Sequence, residues 1–232
     1  MELNRRERYM ERQHFHAGEL EISERAYNLI IGGTLLYGFL VNCFMIKFCY
    51  GAAVSLLQTS GWLFFGLYFI MCIAGSTMVN RSVNPVISFI GYNLIVIPLG
   101  LVLSIVVNVF VASGYSNTVI AAFGITSLVT IGMMALSSLF PYVFLSMGKT
   151  LFITLLLTIA VELIMMVVGA PLGIIDYIVV LIFCGYIGYD WARANCCART
   201  VDNAIDSAAE LYVDIVNLFI RILSILSRAN NN

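Results

Sequence analysis

The feature that most constrains this chain is a succession of long apolar segments. The hydrocarbon core of a bilayer is about 30 Å thick, and a helix of about 20 residues crosses it. Seven segments of this kind follow one another, at 26–49, 61–79, 86–112, 118–140, 150–168, 172–192 and 204–226. Their apolar residues run continuously, without the alternation of membrane strands, and each backbone amide in lipid needs an internal partner. The prediction is an all-α polytopic membrane protein with seven transmembrane helices in one domain, 26–228.

Composition agrees with lipid as the main solvent, because 61% of the residues are hydrophobic and only 11% are charged. The polar segment 1–25 carries five arginines and six glutamates and lacks the apolar core and cleavage site of a signal peptide. It is predicted to be a cytoplasmic tail, and 229–232 a short C-terminal tail. A net charge of −1 gives no argument for nucleic-acid binding.

The basic residues predict the orientation, since cytoplasmic connections are enriched in Lys and Arg. An inner N-terminus places nine on the inner side and three outside. The inner set is the five arginines of the tail, Arg81, Lys149, Arg193 and Arg199; the outer set is Lys47, Arg221 and Arg228. The N-terminus is therefore predicted inside, with the chain in a bacterial cytoplasmic membrane. Six spans with a re-entrant last segment, and residence in an organelle, stay open as alternatives.

Cysteine usage predicts free thiols. Four of the six cysteines lie in apolar runs, where a thiol behaves as a small hydrophobe. The adjacent Cys196 and Cys197 fall in a predicted inner loop, a reducing compartment, with no second pair or histidine to complete a zinc site. No resident cofactor is expected.

Ionisable residues inside membrane segments are costly, and each one suggests a function. Glu162 has no partner in its own segment and is expected to be protonated and hydrogen-bonded to another helix. Asp176 is expected to lie at the membrane interface. The other ionisable residues of the predicted membrane segments considered as candidates are Asp190, Asp206, Glu210, Asp214 and Arg221.

Most of these residues belong to one stripe of the last segment. Asp206, Glu210 and Asp214 are four residues apart, and Asn217 and Arg221 continue the series, so all five share a helix face. That face must meet protein or a water-filled cavity, which predicts a last helix at the centre of the bundle. The simplest interpretation of Asp206 and Glu210 is that they lie at the hydrated start of a helix. If they have a function, it is to line the inner vestibule of an ion path.

Asp190 and Asp214 are predicted to meet. Asp190 comes near the inner end of the sixth apolar run, and Asp214 follows soon after the last run turns outward at Leu211. Two carboxylates in a region of low dielectric raise one pKa until they share a proton, which makes a pH-sensitive link between helices. Clustered carboxylate oxygens also suit calcium, so the same pair would contact a passing metal ion.

The C-terminal motifs resemble the transmembrane Bax inhibitor motif family, also called the Bax inhibitor-1 family. The residues are "GYIGYD" at 185–190 and "AELYVDIVNLFIRIL" from Ala209, supported upstream by "NPVISFIGYNLIVIPLGLVLS" and "AAFGITSLVTIGMMALSS". The resemblance implies seven helices with the last one central, and a pH-dependent calcium leak sensed by aspartates that match Asp190 and Asp214. It also implies a latch arginine, for which Arg81 in "VNRSVNP" is the nearest counterpart. The second span departs from the family in having no carboxylate.

Other function classes fit less well. An intramembrane aspartyl protease needs a glycine-flanked second aspartate, and Asp214 stands in "LYVDIV"; a serine protease lacks a histidine base, since His14 and His16 both lie in the tail. No enzymatic activity is expected. Two alternatives stay open: a proton-coupled cation transporter, and a regulator that binds other membrane proteins such as proteases or cell-death factors. The protein is expected to be a monomer.

Overall fold

A computed structural model describes residues 20–169 and 173–230, and these residues form eight helices and no strand. The helices are α1 (Glu24–Phe48), α2 (Tyr50–Thr59), α3 (Gly61–Arg81), α4 (Pro85–Ala112), α5 (Ser116–Leu139), α6 (Pro141–Val168), α7 (Gly173–Ala194) and α8 (Val201–Ala229). The predicted all-α fold is confirmed.

Seven of these helices are long. Six of them, α1 and α3 to α7, are long and apolar enough to cross a membrane. The last one, α8, is of similar length but carries the polar stripe, and it falls outside that apolar group. The seven long helices match the predicted number, and the eighth element, α2, has only ten residues.

Two boundaries differ from the prediction. The segment 50–59 was expected to be a connection, and it forms the short helix α2. The fifth span was expected to start at residue 150, but α6 starts at Pro141, because proline suits the first helical turn and "SMGKT" interrupts the apolar run without breaking a helix. Lys149 therefore lies on an exposed position within α6, and its assignment to a connecting loop was wrong.

The predicted tails fall mainly outside the described residues. Of the segment 1–25, residues 1–19 lie outside them; α1 begins at Glu24, where the Ser23 hydroxyl accepts a hydrogen bond from the Ala26 amide at 3.3 Å. At the other end α8 continues to Ala229, and residues 231–232 lie outside the described part.

The chain divides into two compact units. The first comprises Met1–Ala112 and Ala194–Tyr212, and the second Ser113–Arg193 and Val213–Asn232. Helix α8 contributes its first twelve residues to the first unit and the rest to the second. Asp190 and Asp214 thus belong to the same unit.

In the first unit, small residues bring helices α3 and α4 together. The backbones meet at Gly75 and Gly91, where a methyl group added to Gly75 would lie 2.5 Å from the Gly91 carbonyl oxygen. Polar contacts tie in the neighbouring helices: the Tyr92 hydroxyl donates to the Thr34 carbonyl at 2.9 Å, and the Asn42 amide donates to the Tyr212 hydroxyl at 2.7 Å. Small residues at helix contacts are the usual means of close packing in membranes.

In the second unit, the glycines of "GYIGYD" allow the same close packing between helices. Gly188 leaves space for the Phe144 ring of α6, and a methyl group added to Gly185 would lie 2.6 Å from the Leu151 side chain. The Ser137 hydroxyl of α5 donates to the Gly188 carbonyl at 2.5 Å. Helix α7 is therefore fixed against α5 and α6 just before it presents Asp190.

Helix α8 is covered along almost its whole length. None of the residues 201–228 is exposed, whereas the apolar helices α3 and α6 each have many exposed side chains. A helix with a polar stripe cannot face lipid on that side, and here it is surrounded by protein, as predicted for the last helix.

Replacing Gly75 by alanine is expected to destabilise the protein by about 1–3 kcal/mol, because the added methyl group collides with the α4 backbone. Thermal unfolding of the detergent-solubilised protein measures the change. Gly66 lies in the same helix with nothing within 4 Å of an added methyl group. Gly66→Ala should therefore be neutral or slightly stabilising, and an equal loss in both variants would contradict the proposed contact.

Candidate functional site

The two aspartates predicted as a pair are both buried in the second unit. Asp190 lies one turn before the end of α7 and is 7% exposed; Asp214 lies near the middle of α8 and is 6% exposed. Buried carboxylates in a protein with so few charges need a protein environment that accommodates them. Both sequence-predicted residues are therefore inside the protein rather than at a hydrated helix end.

A tyrosine in the first unit relates the levels of α7 and α8. The Tyr27 hydroxyl donates to the Ala194 carbonyl at 3.1 Å and lies 3.2 Å from the Ser207 hydroxyl, so the end of α7 lies level with Ser207. With a rise of 1.5 Å per residue, Asp190 lies about 6 Å back along α7 and Asp214 about 10 Å forward along α8. Counted along their own helices, Asp190 and Asp214 therefore lie about one and two turns from that contact.

Tyr186 links the two carboxylates electrostatically. It lies one turn before Asp190 in α7, and the charges of both Asp190 and Asp214 act on its hydroxyl. A single phenol in the range of both acids places them in one neighbourhood.

Asp214 and Tyr186 also line a cavity of about 370 Å³. Its walls come from α6, α7 and α8, and its charged lining residues are Glu162, Asp214 and Arg221. The remaining lining residues are mostly apolar: Leu155, Thr158, Ile159, Val179, Phe183, Tyr186, Val213 and Asn217. The C-terminal part of the polar stripe on α8 therefore faces a cavity, as its pattern predicted.

Glu162 and Arg221 form an ion pair across helices. The guanidinium donates a hydrogen bond to Glu162 Oε2 at 3.0 Å, and its other terminal nitrogen lies 2.7 Å from Oε1 as an ion-pair contact. The expected hydrogen bond to another helix is present. Its donor is the guanidinium of Arg221, 59 residues away in the sequence, and the protonation state of Glu162 stays a prediction.

The same arginine reaches a second carboxylate that the sequence placed at the interface. Asp176 is only 2% exposed; it accepts from Arg221 at 2.7 Å and from the Ser224 hydroxyl at 3.2 Å, and it pairs with Arg228. Its burial and these partners were not predicted, whereas its depth at the membrane interface stays a prediction. We call Glu162, Asp176, Arg221, Ser224 and Arg228 the charge cluster; its two carboxylates and two guanidiniums balance.

Three other predicted residues belong to the first unit. Arg81 is the last residue of α3, its side chain is exposed, and no described residue forms an ion pair with it. Asp206 and Glu210 are half-buried on α8, and the charge of Asp206 acts on the Tyr27 hydroxyl. The latch role of Arg81 and the vestibule role of the two acids stay predictions.

Calcium binding by Asp190 and Asp214 also stays a prediction. Calcium takes six to eight oxygen ligands in a stable protein site. Within residues 20–169 and 173–230, no three His, Cys, Asp or Glu side chains form a group that could hold a metal ion.

The sequence was compared with protein families and with known proteins. The profile of the family described as "Inhibitor of apoptosis-promoting Bax1" matches residues 20–232, which includes every helix above. The chain belongs to the Bax inhibitor-1 family. The family resemblance of the C-terminal motifs is thereby confirmed, and the chain is a membrane protein with several apolar helices.

Individual relatives come from bacteria. An "Uncharacterized membrane protein" of Vibrio cholerae is 32% identical over 169 residues, covering 72% of this chain and 71% of the relative. An "Uncharacterized protein" of Helicobacter pylori strain J99 is 33% identical over 130 residues, 55% of each chain. The match to "Uncharacterized protein Cj0236c" of Campylobacter jejuni is 30% identical and covers 47% of this chain and 48% of that relative. The chain thus spans about half the length of the Helicobacter and Campylobacter relatives, and no solved structure matches it significantly.

Removing the central carboxylate of the charge cluster is expected to be costly. Asp176→Leu leaves Arg221 and Arg228 short of one negative charge in a poorly hydrated place, at a cost of about 3 kcal/mol. Thermal unfolding in detergent measures it. The matched control is Glu24→Gln, which breaks an exposed 3.0 Å ion pair with Arg199 and should cost less than about 1 kcal/mol. Similar losses in both variants would show that the cluster is no more important than a surface pair.

Proposed function

We propose that this protein is a pH-regulated calcium leak channel in which Asp190 and Asp214 share a proton. The observation that carries the proposal is the burial of both carboxylates in one unit, with Tyr186 in electrostatic range of both. Family membership supports the same function, because the resemblance of "GYIGYD" and "AELYVDIVNLF" extends to the two sensor positions. The protein acts without catalytic chemistry or a resident cofactor, as a monomer in the bilayer.

The proposed sensor works through the number of protons on the pair. With one shared proton, a hydrogen bond between the carboxyl groups holds α7 and α8 together. Loss of that proton as the pH rises leaves two negative charges in low dielectric, which repel each other and attract a cation. The leak should therefore increase with pH.

The cavity beside Asp214 is the part of the path that the second unit provides. Its volume of about 370 Å³ holds a calcium ion with several waters, and Asp214 is the carboxylate at its sensor end. Arg81 as latch, and Asp206 with Glu210 as inner vestibule, complete the proposal from the family pattern.

Calcium flux into proteoliposomes between pH 5 and pH 8 tests the sensor. Wild type should leak faster at high pH, and Asp214→Asn or Asp190→Asn should flatten the dependence because a single carboxyl group no longer shares its proton. The control is Glu24→Gln, which neutralises an exposed carboxylate outside the proposed ion path and should keep the pH response. An unchanged pH response in Asp214→Asn would remove the sensor, and no flux in any protein would favour the regulator of other membrane proteins.

The proposed location is the cytoplasmic membrane with the N-terminus inside. Lys149 no longer counts as a loop residue, which leaves eight basic residues on the inner side against three outside. Alkaline phosphatase fused after Ala229 should be active in bacterial cells, and green fluorescent protein at the same point should be dark. The reverse result would place both ends of α8 on the cytoplasmic side of the membrane and favour a re-entrant α8.

A further inference from the structure

Arg221 belongs both to the charge cluster and to the cavity wall. It lines the cavity together with Glu162, while Asp176 and Arg228 complete the cluster without lining it. Of the charged residues in the lining, it is the single cation; the two others are Glu162 and Asp214. Its charge therefore determines how negative the cavity is.

The position of Arg221 relative to Asp214 is fixed by α8. Seven residues separate them, which is two helical turns or about 10 Å, and both side chains face the same cavity. An ion at Asp214 and an ion at the charge cluster are therefore in one continuous space. Glu162 and Asp176 hold the guanidinium at 2.7 Å each, so it cannot swing away without losing two ion pairs.

We propose that Arg221 is the residue that sets the charge preference of this cavity, by offsetting the negative charge of Glu162 and limiting the access of cations to Asp214. The inference deepens the proposed calcium leak and assigns its selectivity to a residue outside the sensor pair. Removing only the Arg221 charge leaves Glu162 unbalanced, because Arg228 still neutralises Asp176. The cavity then becomes more attractive to cations and less attractive to anions.

A cysteine probe inside the cavity measures this preference directly. Thr158 lines the cavity, and Thr158→Cys is placed in a background whose six native cysteines are replaced. Cationic and anionic methanethiosulfonate reagents of similar size then react with it, and mass spectrometry gives both rates. The ratio of cationic to anionic rate reports the local electrostatic potential, independently of any calcium flux.

Three variants separate charge from shape. Arg221→Gln should raise the ratio about threefold or more, since one unit charge is lost close to the probe. Arg221→Lys should stay near wild type. The double variant Glu162→Gln with Arg221→Gln restores the charge balance and should return the ratio towards wild type, although both side chains of the ion pair are altered.

The outcomes that overturn the proposal are equally specific. If Arg221→Gln accelerates both reagents to the same extent, the residue acts as a steric plug and not as a charge. If the double variant keeps the high ratio, Glu162 is not the charge that Arg221 offsets. Failure of both reagents to label any variant also overturns it, because a charge cannot sort ions in a cavity that ions do not reach.

Flux measurements on the same variants keep the two proposals apart. Under both proposals, Arg221→Gln should leak calcium several-fold faster than wild type and depend less on pH, because the unbalanced Glu162 then attracts cations in both protonation states of Asp214. A changed labelling ratio without any calcium flux would contradict the leak function and leave the charge preference standing. A pH-dependent calcium leak with an unchanged labelling ratio would contradict the role of Arg221 alone.

Discussion

Neutralisation of buried charge is the constraint on which the rest of this structure depends. Lipid offers no water to a carboxylate or a guanidinium, so each charge placed within the membrane segments requires a protein partner or a hydrated space. Helix α8 carries several such groups, and none of its residues from 201 to 228 is exposed. The apolar helices can present leucine, isoleucine and phenylalanine to lipid because α8 is the element that they cover.

Close helix packing provides the precision that this arrangement needs. Gly185 and Gly188 admit Leu151 and Phe144 of α6, and the Ser137 hydroxyl binds the Gly188 carbonyl from α5. These contacts lie within two turns of Asp190, so packing against α5 and α6 sets the orientation of α7 near this residue. The glycines of "GYIGYD" are thus explained by the space that their neighbours require, and its aspartate has a role only under the proposed function.

Features that repeat along one helix could be predicted from the sequence. Contacts between residues far apart in the sequence could not. Apolar runs gave seven long helices, and spacing within one segment placed Asp214, Asn217 and Arg221 on a common face that lines the cavity. The partners of Asp176 were not predicted, because Arg221 and Arg228 are 45 and 52 residues away and no spacing rule relates them. A usable signal existed: Arg221, Ser224 and Arg228 share one face at the end of α8, where an antiparallel α7 must begin.

The net charge of the cavity depends both on the protonation of Asp214 and on the charge cluster. Its charged lining residues are Glu162, Asp214 and Arg221, so it carries one net negative charge when Asp214 is ionised and none when Asp214 is protonated. Under the proposed function, a single proton therefore decides whether this space attracts a calcium ion at all, because the charge of Arg221 cancels that of the Glu162 carboxylate with which it pairs. The fixed ion pair makes the titrating aspartate decisive, and a cavity with a second uncompensated carboxylate would attract cations in both protonation states.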